Sequence, residues 1–110
     1  MYYILEGTTP VPVQDVLQWE KQFKATTDRH VADDYVVDSQ ARQVRVSTVF
    51  LGIDHSFGGG DPVLFETMIF GGDADGYQER YTTWDAALAR HQVLVDRVSR
   101  GEPVDDEDRP

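Results

Sequence analysis

Apolar and polar positions alternate along most of this chain, and that pattern predicts its elements. Residues 2–6 (YYILE) are an apolar, aromatic run followed by the turn residues Gly7-Thr8-Thr9-Pro10, which predicts a strand and a turn. Pro12 fits the first position of a helix, where a missing N–H costs nothing. From there Val13, Val16, Leu17 and Phe23 keep helical spacing, with Trp19 beside them and Glu20 as an imperfection in the stripe. Ala25-Thr26-Thr27-Asp28 ends that helix. Residues 30–37 (HVADDYVV) read as a weak strand with acids at 33 and 34, and Asp38-Ser39-Gln40-Ala41 as a hairpin turn. Residues 42–54 (RQVRVSTVFLGID) are rich in β-branched and aromatic residues and form the strongest strand. A glycine-rich loop, 54–62, leads to a second strong strand at 63–70 (VLFETMIF). The turn Gly71-Gly72-Asp73-Ala74-Asp75-Gly76 leads to a last strand at 77–81.

The C-terminal helix has the clearest periodicity. Thr82 can cap it, with Asp85 three residues on. Trp84, Ala87, Leu88, His91, Leu94, Val95 and Val98 then fall on one stripe. Arg97 and Arg100 suit the negative end of the helix dipole, and Gly101 suits the C-cap. The order is β-α-β-β-β-β-α, which predicts an α+β fold: an antiparallel meander of about five strands with two packed helices. Residues 1–101 form the single domain. Residues 102–110 form an acidic tail with five acids and one arginine, expected to be disordered.

Composition narrows the function. The chain has 110 residues, 20 of them acidic against 10 Lys plus Arg, for a net charge of -10. That balance argues against direct binding to nucleic acid or an anionic membrane. There is no cysteine, so thiolate chemistry and disulfides are excluded. No apolar run approaches the length of a membrane span, and the start lacks a signal-peptide pattern, so a cytoplasmic location is expected.

The segment STVFLGIDHSFGGGDPVLFETMIFGG at 47–72, with the YQERYTTWDAALARH that ends at 91 and the YYILEGTTPVPV start, resembles a group of small uncharacterised proteins from actinobacteria and their phages. The DH-x-FGGG-x-P and LFETM-x-FGG pieces are the most specific parts. The resemblance implies a phage or prophage origin and a compact α+β domain. It carries over no catalytic residue.

Four features are candidates for chemistry or binding. The first is Asp54 and His55 leading into Phe57, Gly58, Gly59 and Gly60. Glycines allow backbone N–H groups to approach a ligand closely, although they also simply supply positive φ in a hairpin loop. No Lys-Ser/Thr follows them and no helix opens after them, so neither a P-loop nor a dinucleotide fingerprint is present. The second comes from register. If the 54–62 and 71–76 loops close regular hairpins, 53 opposes 63 and 70 opposes 77. Glu66 and Glu79 then share one apolar face with Phe50, Met68 and Tyr81, about 7–8 Å apart. Paired carboxylates of unequal pKa serve acid/base hydrolysis, and a one-residue bulge would undo the pairing.

The third is His91, polar in the middle of an apolar stripe, which needs a partner such as Glu66, Glu79 or a backbone carbonyl. His30, His55 and His91 have no metal-ligand spacing, and Gly71–Gly76 fails the EF-hand pattern at both ends, so no metal and no cofactor is expected. The fourth is acidity itself, which either serves solubility or mimics a nucleic-acid backbone.

No nucleophile–base motif is present. The features favour a small non-catalytic phage-type accessory or regulatory protein. It would bind a host or viral protein through the glycine-rich loop and an exposed sheet face, with Phe57 as anchor. Two alternatives remain: a small hydrolase-like enzyme using Glu66 and Glu79 with Asp54 and His55, and an acidic nucleic-acid mimic that inhibits a DNA-binding protein. Monomer and homodimer are equally open.

Overall fold

The computed structural model describes residues 1–25, 29–56 and 59–104. Its elements are β1 (Tyr2–Glu6), β2 (Thr9–Val13), α1 (Val16–Ala25), β3 (His30–Val37), β4 (Gln43–Phe50), β5 (Phe65–Phe70), β6 (Gln78–Tyr81) and α2 (Trp84–Arg100). The α+β class and the antiparallel meander are as expected, with one additional strand. The four later strands form one antiparallel sheet in the order β3-β4-β5-β6, and β1 and β2 form a separate hairpin.

The additional strand corrects the reading of Pro12. Pro12 lies in β2 opposite Tyr3, where a two-stranded hairpin tolerates a residue without an N–H. Glu6 pairs with Thr9, so the turn is Gly7-Thr8, with Gly7 at φ 64. A type II′ turn reserves that first central position for glycine. The helix begins later, after Asp15, whose carboxylate accepts from the amides of Leu17 (3.0 Å) and Gln18 (3.4 Å). The expected stripe therefore fails. Leu17 is exposed, and α1 packs instead through Trp19 and Phe23, one turn apart. Trp19 Nε1 donates to the Tyr3 carbonyl at 2.9 Å. The hairpin joins the sheet where Tyr3 N donates to the Gly52 carbonyl at 2.8 Å.

The second correction is register. Phe50 pairs with Phe65 and Val49 with Glu66; Phe65 pairs with Tyr81 and Thr67 with Glu79. Each hairpin is one residue away from the symmetric closure. Side chains alternate across a sheet, so a one-residue slip exchanges faces. The two slips cancel between β4 and β6, and β5 alone is turned over. Phe65, Thr67 and Ile69 face the core, while Glu66, Met68 and Phe70 face outward.

α2 covers one face of the sheet. Thr83, not Thr82, is its N-cap, accepting from Ala86 N at 3.1 Å, and Gly101 is the left-handed C-cap as expected. Ala87, Arg90, His91, Leu94 and Val98 are its buried residues, whereas Leu88 lies at the exposed margin of the stripe. The core has two apolar clusters. One holds Val44, Val46, Ile69, Leu94, Val98 and Val104; the other holds Phe50, Leu64, Phe65, Tyr81 and Ala87. The second continues into α1 through the ring series Trp19–Phe23–Phe50–Phe65–Trp84, with centroids 4.9–6.4 Å apart.

The expected boundary at Gly101 is also corrected. Val104 is buried in the first cluster, and Arg97 Nη1 donates to the Pro103 carbonyl at 3.2 Å. The expectation of disorder fails for residues 102–104, and the rest of the acidic tail lies outside the described residues.

Candidate functional site

The glycine-rich loop is organised by Asp54. One carboxylate oxygen accepts from the amides of Ser56 (2.8 Å) and Val63 (2.9 Å), and the other from the Ser56 hydroxyl (2.9 Å). Those amides hold its carboxyl below the ordinary range. Asp54 thus ties the two ends of the loop together. His55 continues the ladder through its amide to the Val63 carbonyl at 2.9 Å. Gly59 and Gly60 are exposed with φ 95 and 90 and open space around them, so positive φ is the demand they meet. Phe57 and Gly58 lie outside the described residues.

Glu66 and Glu79 do not meet. Glu66 is on the outer face, paired with Arg80 Nε at 2.9 Å. Glu79 is buried on the core face. It accepts from Arg90 Nε (2.9 Å), Arg90 Nη2, Tyr77 Oη (2.6 Å) and Tyr81 Oη (2.8 Å). Burial pushes its carboxyl up, but the donors of Arg90, Tyr77 and Tyr81 together outweigh that and hold it below the ordinary range. The ionised form of Glu79 is therefore favoured in a four-donor cradle, with no lone pair aimed at a substrate. The expected pairing of Glu66 with Glu79 on one face is overturned by the face exchange of β5.

His91 belongs to the same seam of polar groups, which runs between the two apolar clusters. Its Nδ1 lies 2.7 Å from Thr48 Oγ1, and its Nε2 lies 2.7 Å from Asp34 Oδ2. Neither expected glutamate is its partner. Thr48 Oγ1 is 2.5 Å from Thr67 Oγ1, which is 3.0 Å from Tyr81 Oη. Burial pushes the Tyr81 hydroxyl up, so it stays protonated. Tyr81, Thr67, Thr48 and His91 thus form one continuous hydrogen-bonded series that joins Glu79 at one end to Asp34 at the other. The Asp34–His91–Thr48 series has the connectivity of a catalytic triad. Thr48 has no exposed surface, so its hydroxyl has no route to a substrate.

The outer face of the sheet is different in kind. Among the described residues no element covers it. Tyr35 and Val37 are each 62% exposed and Phe70 is 44% exposed. Arg45 stands opposite both Tyr35 and Phe70, with its guanidinium 5.6 Å and 5.8 Å from the two ring centroids. Arg45 also makes two 2.9 Å hydrogen bonds to Asp33, whose carboxyl it holds below the ordinary range. Val31 is the extra residue of a bulge in β3: His30 pairs with Val49 and Ala32 with Thr48. The bulge turns His30 outward, 3.2 Å from Ser47 Oγ. A histidine beside a serine is the start of a nucleophile, but Ser47 sits mid-strand in β4, where sheet pairing occupies the amides an oxyanion hole would need. The acids Asp33 and Glu66 are each matched by an arginine, so the aromatic patch carries no net negative charge.

This surface escaped sequence reasoning because the slip in β5 moves Phe70 outward. Tyr35 and Val37 were readable as the outward half of a half-buried strand. Comparison with known proteins finds no family model, no curated protein and no solved structure that matches this chain.

Proposed function

We propose that this chain is a small non-catalytic accessory or regulatory protein of phage type, which binds a protein partner through the open face of its sheet. One observation carries the reading: Tyr35 and Phe70 flank Arg45 on a face that no other described element covers. Tyrosine and arginine are the residue types that dominate binding energy at protein interfaces. Matched ion pairs around them suit a protein surface rather than a phosphate backbone. The carboxylates that an enzyme would need are each held in a hydrogen-bonded pair or a loop closure, which supports the non-catalytic reading.

The test is affinity capture from a host-type lysate, read by quantitative mass spectrometry. Wild type is compared with the double variant Tyr35→Ala/Phe70→Ala. Neither side chain belongs to a core cluster, so the variant should keep the wild-type fold. A dominant partner that wild type retains and the variant loses supports the interface. A partner retained equally by both refutes this face as the interface, and the absence of any partner refutes the binding module.

A further inference from the structure

At one end of the sheet three segments enclose a cleft of about 630 Å³: residues 38–44, residues 71–77, and the end of α2 with residues 101–104. Its floor is apolar, formed by Val44, Ala74, Tyr77, Val98 and Val104, which belong to or pack against the first core cluster. Its rim carries Asp38, Asp73, Asp75 and Glu102, with Arg42 as the one base among the lining residues. The negative end of the α2 dipole lies at the same place.

The walls are built rather than accidental. Asp38 accepts from the amides of Gln40 and Arg42 and from Arg42 Nε, each at 2.9 Å, which fixes the turn. Arg42 reaches across the cleft to Asp73 at 3.1 Å. Asp75 accepts from Gly71 N at 2.7 Å. Gly71 has φ 92, and a Cβ there would lie 2.9 Å from the Gln43 carbonyl oxygen, so the second turn lies backbone-to-backbone on β4. A volume of this size falls in the range of ligand sites, about 300–1,000 Å³.

We propose that the cleft docks a basic segment of a partner protein, one that sets an apolar side chain beside a lysine or arginine. The apolar floor takes the first side chain. The rim takes the cation, because Asp73, Asp75 and Glu102 line it beside a single guanidinium that the Asp38 side chain, 7% exposed, already pairs, and Asp73 is exposed enough to exchange partners. An anionic ligand would meet the same rim as a barrier. This site goes beyond the open-face interface and does not rest on it.

The experiment titrates the full ¹⁵N-labelled chain with a short capped peptide of core Leu-Arg-Leu-Lys, read by amide chemical shifts. The control peptide carries glutamate at both basic positions. Expected are shifts confined to residues 38–44, 71–77 and 101–104, absent with the control. Raising the salt from about 0.1 M to about 1 M, which cuts the screening length from about 10 Å to about 3 Å, should weaken them. The variant Asp73→Asn/Glu102→Gln removes two exposed rim charges and should bind about tenfold more weakly. Tyr35→Ala/Phe70→Ala should bind the peptide unchanged, which separates this site from the open face. Three results overturn the proposal: no shifts at millimolar peptide, shifts on β3 and β5 instead of the cleft, or equal binding of the acidic control.

Discussion

Replacing Glu79 by glutamine tests whether charge holds the polar seam together. The wild-type carboxylate accepts four hydrogen bonds, two at each oxygen. Glutamine keeps one oxygen and offers two N–H donors. Turned one way, its NH₂ faces Arg90 Nε and Tyr81; turned the other, it faces Arg90 Nη2 and Tyr77. Two of the four bonds are lost either way, and Arg90, 8% exposed, keeps an uncompensated charge. Breaking a buried pair from one side costs about 3–5 kcal/mol. Two lost bonds to a charged group, at about 1.5–3 kcal/mol each, give a similar figure. Urea denaturation followed by tryptophan fluorescence reads the loss, since Trp84 packs edge-on to Phe65 at 6.3 Å and Trp19 stacks on Phe23 at 4.9 Å. The loss must also depend on pH. Folding holds the Glu79 carboxyl below its ordinary 4.5, so the ionised form favours the native state. That stabilisation is complete above 4.5 and disappears as pH falls through the folded value. Glutamine has no such dependence, so the gap between wild type and variant should narrow below pH 4.5. A gap under about 1 kcal/mol at neutral pH, or one that stays constant into acid, refutes the charged seam.

Two further stability predictions use the same denaturation assay. Leu94→Ala, at a site with no exposure, should cost about 2–5 kcal/mol, while Leu88→Ala on the same helix should cost less than about 1 kcal/mol; equal losses would refute the assigned helix face. Gly52→Ala should cost more than about 1 kcal/mol, because Gly52 has φ 78 and an added Cβ collides with the Phe23 ring. A neutral result would refute the docking of α1 on the sheet.

Most of the elements were legible because burial imposes a period. β3 appears at 30–37 as read, and α2 keeps its stripe and its glycine cap. Where the reading failed, a local signal had two meanings. Pro12 satisfies the φ of a helix start and of an edge strand equally, and Asp15, the actual cap, was passed over. Loop length alone could not decide between even and odd hairpin closure. At Gly52 the chain leaves the ladder, and Ile53 bridges to Tyr2 instead. That departure carried the fate of Glu66. His91 was legible as a satisfied core histidine, but its partners were not. Asp34 looked like an ordinary acid in a weak strand, and only tertiary structure brings it to 2.7 Å from the ring. The cleft was invisible for a similar reason, since it joins two turns to a segment assigned to a disordered tail.

The contact between Asp34 and His91 closes over 57 positions of chain. Such a contact cannot precede the strands that carry it, because the entropy of bringing distant segments together must be met by interactions already formed. The four-stranded meander can zip up through neighbouring hairpins. The last helix can dock only on a sheet that exists. Substitutions in the seam between helix and sheet should therefore leave the folding arm of a chevron nearly unmoved and steepen escape from the native state. The polar seam then acts as a latch on the rate of opening, and the lifetime of the folded protein rests on its last-formed layer.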